Sequence, residues 1–437
     1  MSRCCLFFIL LFHSLTVLAE DPFAALDTEI ARFDTEKKES IELQNEFQQY
    51  VKSQQNDYQR WQQEYLQEFD QFQQSIIEKW GKPEPIQTGY DVNFSEDKNS
   101  KTVIDYQQEQ VSIELIIDKG LSLENAEKAI KKQIETLLLD KNSNIAQVFS
   151  EDEISDEGKI TISTIEFSEA NKHKSKNVII KQTQAQAQEI DKQTDSVLLT
   201  DKSLTEGEAS IRATQAKMAL LKSSQIRLKN SDEHYVAAQE NANNQTKIVS
   251  YVVKLPKNSL RKRASKYVDF AQKESKINHI SAPLIMAIMH SESAFNPQAK
   301  SAVPAYGLMQ IVPHSAGHDV NKLVRNIDKP MGVADLYIPS INVETGSAYL
   351  NILDKRYLKA IKNEQSRLYC TIAAYNTGAG NVARVFNKDG SRNINKASKV
   401  INQLSAHDVY LQLLEKLPYD ETKHYLKRVN ARIALYQ

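Results

Sequence analysis

Between Leu284 and Ala294 the sequence sets Ile285, Ile288 and Glu292 three and four residues apart, the spacing of one helical face. A carboxylate that emerges beside apolar side chains is desolvated, and desolvation favours its protonated form. A carboxylic acid still protonated near neutral pH is what a general acid needs to give a proton to the oxygen leaving a broken C–O bond. Taken alone, an apolar-flanked glutamate is more often a capping or paired residue. His290 lies two residues away on a different face, with no second ligand at metal spacing, so it reads as a surface or capping histidine. With no Cys/His cluster and no phosphate-cradling Gly-rich loop in the sequence, no metal or organic cofactor is expected.

The surroundings of Glu292 in the sequence change the weight of that reading. His290-Ser-Glu-Ser is followed by Asn296-Pro297, Ser301, Gly307-Leu308-Met309-Gln310 with Pro313 and Ala316 beyond, then Ala374-Tyr375-Asn376-Thr377-Gly378, and finally Glu421-Thr422-x-x-Tyr425. Four ordered motifs across the C-terminal part of the chain resemble the lytic transglycosylase family of the lysozyme-like fold. The resemblance implies Glu292 as acid and base, Ser301 bonding the substrate N-acetyl group, Met309 and Gln310 lining the sugar cleft, Tyr375 and Asn376 flanking it, and Tyr425 beside Glu292. Each also has a purely structural reading: Ser301 a loop cap, Met309 core filler, Tyr375 packing, Asn376 a turn residue, Tyr425 a helix-face aromatic. The sequence departs from the commonest family pattern at Pro304, where Gly usually precedes the Ala now at 305, which alters the loop between Ser301 and Gly307.

Most glycosidases use two carboxylates, and none accompanies Glu292 within the motif cluster. The resemblance implies that the substrate supplies the nucleophile: its N-acetyl group assists departure, and a muramoyl C6 hydroxyl then closes a 1,6-anhydro ring. Peptidoglycan glycan strands are the expected partner. Two alternatives stay open, a lysozyme-type hydrolase on the same scaffold and a wall-binding scaffold protein with a weak or inactive lysozyme-like domain.

The elements that must hold these residues divide the chain. Beyond Pro256 the pattern is helical to the end, with capping and turn signals at Asn258, Ser281 before Pro283, Asn296-Pro297, Ser340, Asn376 to Gly380 and Pro418. Residues 257–437 are expected to form the all-helical lysozyme-like catalytic domain. Within 83–256, Val111, Ile113, Leu115 and Ile117 alternate as a half-buried strand, and Ala126, Ile130, Ile134 and Leu137 mark a helix. Segments 159–167, 177–180 and 247–255 read as further strands. They predict a small α+β domain interrupted by a helical excursion over about 181–245, with Leu204, Ile211, Met218, Leu221 and Leu228 roughly in heptad register. Over 20–82, Val51, Tyr58, Trp61, Tyr65, Phe69, Phe72 and Ile76 recur at helical spacing, a stripe that serves either self-association or packing on its own chain. The fold class is thus multidomain α+β: a small mixed domain with long helices, then a helical one.

Residues 1–19 read as a secretory signal, a short apolar run behind Arg3, and periplasmic export follows. Cys4 and Cys5 stand at the front of that run rather than just behind it, so no lipid anchor is predicted, although contact peripheral to the outer membrane or with wall proteins fits the reading. Cys370 is then left without a partner and reads as a buried, inert thiol. The net charge of −1 hides an asymmetry, +12 over 257–437 against −13 before it, so the C-terminal part favours acidic partners. Nucleic acid is excluded by export and by the lack of an interleaved aromatic and basic stripe.

Overall fold

The computed structural model describes residues 60, 62–84, 89–140, 143–149, 158–200, 204–242, 245–301 and 303–437. The expected signal and the stripe residues Val51, Tyr58 and Trp61 lie outside them. Residues 67–437 pack as one unit, to which the following account refers.

That unit begins on a helix that ends at Trp80 (α1, 67–80), where Gly81 takes a φ of +65°. Of the stripe, Phe69 and Ile76 are buried while Phe72 faces solvent. Five antiparallel strands follow: β1 (Tyr90–Phe94), β2 (Ser100–Asp105), β3 (Gln110–Asp118), β4 (Lys159–Thr164) and β5 (Thr246–Lys254), in the order β1-β2-β3-β5-β4. The alternation in β3 is realised as expected, with Val111, Ile113 and Ile117 buried. They meet helix α2 (Leu123–Leu139), which Ser122 caps by accepting from the Asn125 amide and which buries Ala126, Ile130 and Ile134 at i, i+4, i+8. A short helix, α3 (Asn144–Val148), closes this core with Ile145 and Val148.

Between β4 and β5 the chain runs out through α4 (Glu169–Thr200) and returns through α5 (Glu206–Glu240). The excursion starts earlier than the expected 181, because 177–180 is helix and not strand. Val178, Ile179 and Ile180 have strand-like composition, but Ile179 is buried and Ile180 exposed, the outcome of a single helical face meeting protein. Helix α5 opens with a full capping box, Thr205 with Glu208. Its expected heptad residues are not a seam: Ile211, Met218 and Leu221 are exposed, and α5 packs instead through Ala209, Ala213, Leu220, Tyr235 and Ala238. Small residues let two polar helices approach closely where large apolar ones would hold them apart. At the base of the hairpin, Tyr235 donates to the carbonyls of Gly81 (3.0 Å) and Ser168 (3.2 Å). Arg227 forks onto both Asp70 oxygens at 2.7 Å, tying α5 to α1.

From Ser259 every described element is helical: α6 (Ser259–Ser265), α7 (Val268–Asn278), α8 (Ala282–Ser293), α9 (Ala316–Leu323), α10 (Val333–Leu336), α11 (Pro339–Ile352), α12 (Glu364–Thr377), α13 (Ala379–Phe386), α14 (Ile394–Ile401), α15 (Ala406–Lys416) and α16 (Asp420–Ile433). The expected α+β-then-helical order is what the structure has. The core sits around α8, where Ile285, Ile288 and Met289 are fully buried, each contributing about 1.5–3 kcal/mol of burial. Cys370 is fully buried and its thiol is pushed far above the ordinary value, inert as expected.

Candidate active site

Glu292 occupies the last turn of α8, a helix started by Ser281 with Pro283 in its first turn. The helix stops abruptly. Ala294 (φ 50°) and Phe295 (φ 66°) both take left-handed backbone, an unfavourable region for side chains other than glycine. Packing and a hydrogen bond hold them: Phe295 stacks between Tyr267 (6.3 Å, 10°) and His290 (5.6 Å, 24°), and Arg263 donates to the Ala294 carbonyl at 3.1 Å. Arg432 donates to the His290 carbonyl at 3.1 Å and the Ser291 hydroxyl at 3.0 Å, a cation at the negative end of the helix. Of the two readings expected for His290, surface or capping, the surface one does not hold: the residue is half-buried. Its Nδ1 meets the Tyr436 hydroxyl at 2.9 Å, and burial beside Arg432 and Arg263 lowers its pKa to about 3, so it stays neutral. No group of metal-holding side chains occurs among the described residues.

The Glu292 carboxyl is half-buried and densely surrounded. Burial pushes its pKa up to about 7, with Glu421 adding to the rise and Tyr425, Lys192 and Arg428 opposing it. Tyr425, on α16, is buried, and its hydroxyl pairs with the Glu292 carboxyl, the largest of the influences that oppose the rise.

Glu292 faces a cavity of about 990 Å³, and Ser301, Gln310, Tyr375 and Asn376 line it too. Their hydrogen bonds are largely committed. Ser301 bonds the Val303 carbonyl and accepts from the Ala305 amide at 3.4 Å, so the segment altered by Pro304 is pinned by this hydroxyl. Gln310, at φ 49°, donates to the carbonyls of Ala299 (3.0 Å) and Gly307 (2.8 Å) and staples the same loop. Asn376 accepts from Thr422 at 2.7 Å, and Tyr375 donates to the Met309 carbonyl at 2.8 Å. Met309 stands away from the others: its side chain is fully buried, packed where a Cβ on Gly346 would collide with it, and its amide donates to Asn342 at 2.8 Å. It shapes the cavity from behind, as Tyr425 does.

The cavity also holds residues the motifs did not reveal. Glu109, Glu189 and Asp420 line it, as does Glu421 of the last motif, so Glu292 is not the lone acid of the site. Glu189 and Lys192 come from α4, which docks beside the catalytic segment through a buried ion network. Arg392, 5% exposed, meets Asp191 at 2.7 Å and Asp195 at 2.6 Å; Lys217 meets Asp191 at 2.7 Å. The Gly380 amide (2.7 Å to Asp195), Asn381 and Tyr419 (each 3.1 Å to Asp191) complete it. Burial raises Asp191, but Arg392 and Lys217 outweigh it and hold that carboxyl below its ordinary value; for Asp195 burial wins. The available signal was Asp191 and Asp195 one turn apart with Lys192 between them, in a stretch whose polar composition reads as solvated.

Gly378, of the Tyr375-Asn376-Thr377-Gly378 run, matters to this docking. It has φ +88°, and a Cβ there would lie 2.5 Å from Asp195 Oδ2. Gly378→Ala is expected to lose about 2–4 kcal/mol in urea denaturation, from backbone strain and displacement of Asp195. Gly390→Ala, at φ +66° with open space around it, is the control and should lose about 1–2 kcal/mol. Equal losses in the two variants would remove Asp195 from the explanation.

Residues 269–398, from α7 into α14, match the family described as Transglycosylase SLT domain, and Glu292 lies inside the matched segment. Membrane-bound lytic murein transglycosylase C of Serratia proteamaculans is 45% identical over 183 residues, covering 42% of this chain and 50% of the relative. The protein of that name from Pectobacterium atrosepticum is 45% identical over 184 residues, with the same coverage. The chain thus spans about half the length of the curated relatives it matches. Among solved structures, an inactive mutant of lytic transglycosylase Slt from Pseudomonas aeruginosa overlays with a TM-score of 0.31 at 23% identity, covering 53% of this chain and 30% of that one.

Proposed function

We propose that the chain is a peptidoglycan lytic transglycosylase, cleaving the MurNAc–GlcNAc β-1,4 bond without water and leaving 1,6-anhydro-MurNAc ends. The observation that carries this reading is Glu292: an acid raised to about 7, on the wall of a cavity, inside the matched transglycosylase segment. Glu292 gives its proton to the glycosidic oxygen as the C1–O bond breaks, while the substrate's N-acetyl carbonyl oxygen bonds C1. The muramoyl C6 hydroxyl then attacks C1, displaces that oxygen and returns its proton to Glu292, so acid and base are one group. Ser301, Gln310, Tyr375 and Asn376 form the walls against which the sugars lie, and Met309 and Tyr425 support them. The catalytic unit is 257–437, and the protein works in the periplasm against the wall, peripheral to a membrane; the relatives' printed names include "membrane-bound", while no described helix is long and apolar enough to cross one.

A hydrolase is the second reading, favoured by Glu189 and Glu421 in the cavity, since an additional carboxylate can activate water. Digesting purified peptidoglycan and identifying the new ends by mass spectrometry separates them. Anhydro ends are expected; reducing ends would establish the hydrolase, and no cut would leave a scaffold. The pH profile gives a second check. The acid form is active, so kcat/KM should fall as pH rises through about 7. Because Tyr425 lowers the Glu292 value, Tyr425→Phe should move that limb up by several tenths of a pH unit or more. A limb that moves down would contradict this coupling.

A further inference from the structure

Helix α4 lays one face along the cavity. Lys181, Gln184, Ala185, Gln188, Glu189 and Lys192 all line it, and their spacing of three or four residues is a single helical stripe about 16 Å long. The stripe is amide and charge, with no aromatic ring to take a sugar face; rings that line the cavity, such as Tyr349 and Tyr375, come from other elements.

At the end of the stripe nearest the motif residues, two groups lack full partners. Glu189 is 2% exposed, and its Oε1 makes no hydrogen bond. A buried carboxylate oxygen left unsatisfied is costly, and such atoms mark places where a partner belongs. Lys192 Nζ stands 3.8 Å from Glu189 Oε2, beyond hydrogen-bond length, and its charge reaches Glu292. Its backbone is fixed, since Gly378 packs so closely that a Cβ there would lie 3.3 Å from Lys192 Cα. The wall therefore presents a cation on a closely packed backbone and an acceptor side by side near Glu292.

We propose that Lys192 and Glu189 read the peptide carried by the glycan strand: Lys192 pairs with a peptide carboxylate, and Glu189 accepts from a neighbouring amide N–H. The hairpin would then be a specificity element that selects peptide-bearing strands over bare glycan. This rests on the reading of Glu292 as the acid that cuts peptidoglycan.

The test compares the full chain with Lys192→Met, Lys192→Arg and Glu189→Gln on peptidoglycan strands and on the same strands stripped of peptide by an amidase. Working at about pH 5.5 keeps Glu292 protonated whether or not Lys192 is present. The wild type should favour peptide-bearing strands by about tenfold in KM; Lys192→Met should bring the ratio of the two KM values to about one, and Lys192→Arg should keep most of the preference. Glu189→Gln should weaken the preference, read as the ratio of KM on bare strands to KM on peptide-bearing ones. An unchanged preference in Lys192→Met overturns the proposal, as does faster cutting of both substrates, which would mark α4 as a plug. Wild-type protein that cuts neither strand would sink the transglycosylase reading itself, a result distinct from active enzyme with no preference.

Discussion

The Glu292→Gln protein is expected to lose about 10³-fold or more in turnover on peptidoglycan while becoming more stable than the wild type at pH 8. The two effects share one cause. Burial raises the carboxyl from 4.5 to about 7, so between those values the folded protein holds a proton that the unfolded chain has released. Stability from this group is full below about 4.5 and is lost as pH rises to about 7, by about 2–3 kcal/mol after allowing for its partial opening to the cavity. Glutamine has the same shape and never ionises, so that loss disappears. Urea denaturation should find the two proteins close at pH 4.5 and separated by about 2 kcal/mol at pH 8. A variant no more stable than wild type at pH 8 would mean that the carboxylate is satisfied there and is not a strained acid.

Arg392→Ala should be the most damaging single change to the hairpin, costing about 3–5 kcal/mol. Asp191 and Asp195 meet Arg392, with Lys217 and the more distant Arg384 on Asp191, and removing the Arg392 guanidinium leaves Asp195 with the Gly380 amide and Asp191 with Lys217, Arg384, Asn381 and Tyr419. Lysine in its place keeps the charge but cannot bond both aspartates as a fork, so Arg392→Lys should recover only part of the loss. Hydrogen exchange locates the damage: α4 amides around 188–196 should exchange faster while α8 and α12 keep their protection. Uniform acceleration across all helices would show that the network stabilises the whole unit and does not pin α4 in particular.

What the sequence revealed follows from the range of the interactions involved. Glu292 with Ile285 and Ile288, the β3 alternation and the α2 face are set by neighbours three or four residues away, or two in a strand, and were legible for that reason. The docking of α4 was not. Asp195 finds the Gly380 amide 185 positions along the chain, and Arg392 finds Asp191 at 201, contacts that leave no local periodicity. The same cause explains the misread segments: 177–180 has strand composition but is held in α4 by packing, and the apolar register of α5 points outward because alanines make the helix pair. Gln310 and Ser301 were singled out for the cavity they do line, but their side-chain commitments to the loop backbone depend on its fold and on Pro304, which composition does not convey.

The strands flanking the hairpin carry one more implication. Thr164 and Lys247 are directly opposite each other in β4 and β5, so the whole excursion leaves and re-enters at a single rung of the ladder. A short turn joining those two positions would leave every strand in register. The hairpin is therefore topologically separable from the sheet: chain can be gained or lost beyond that rung without changing strand order or register, and its attachment to the helical part rests on the Arg392 network, charge against charge, which a shortened chain would have to replace.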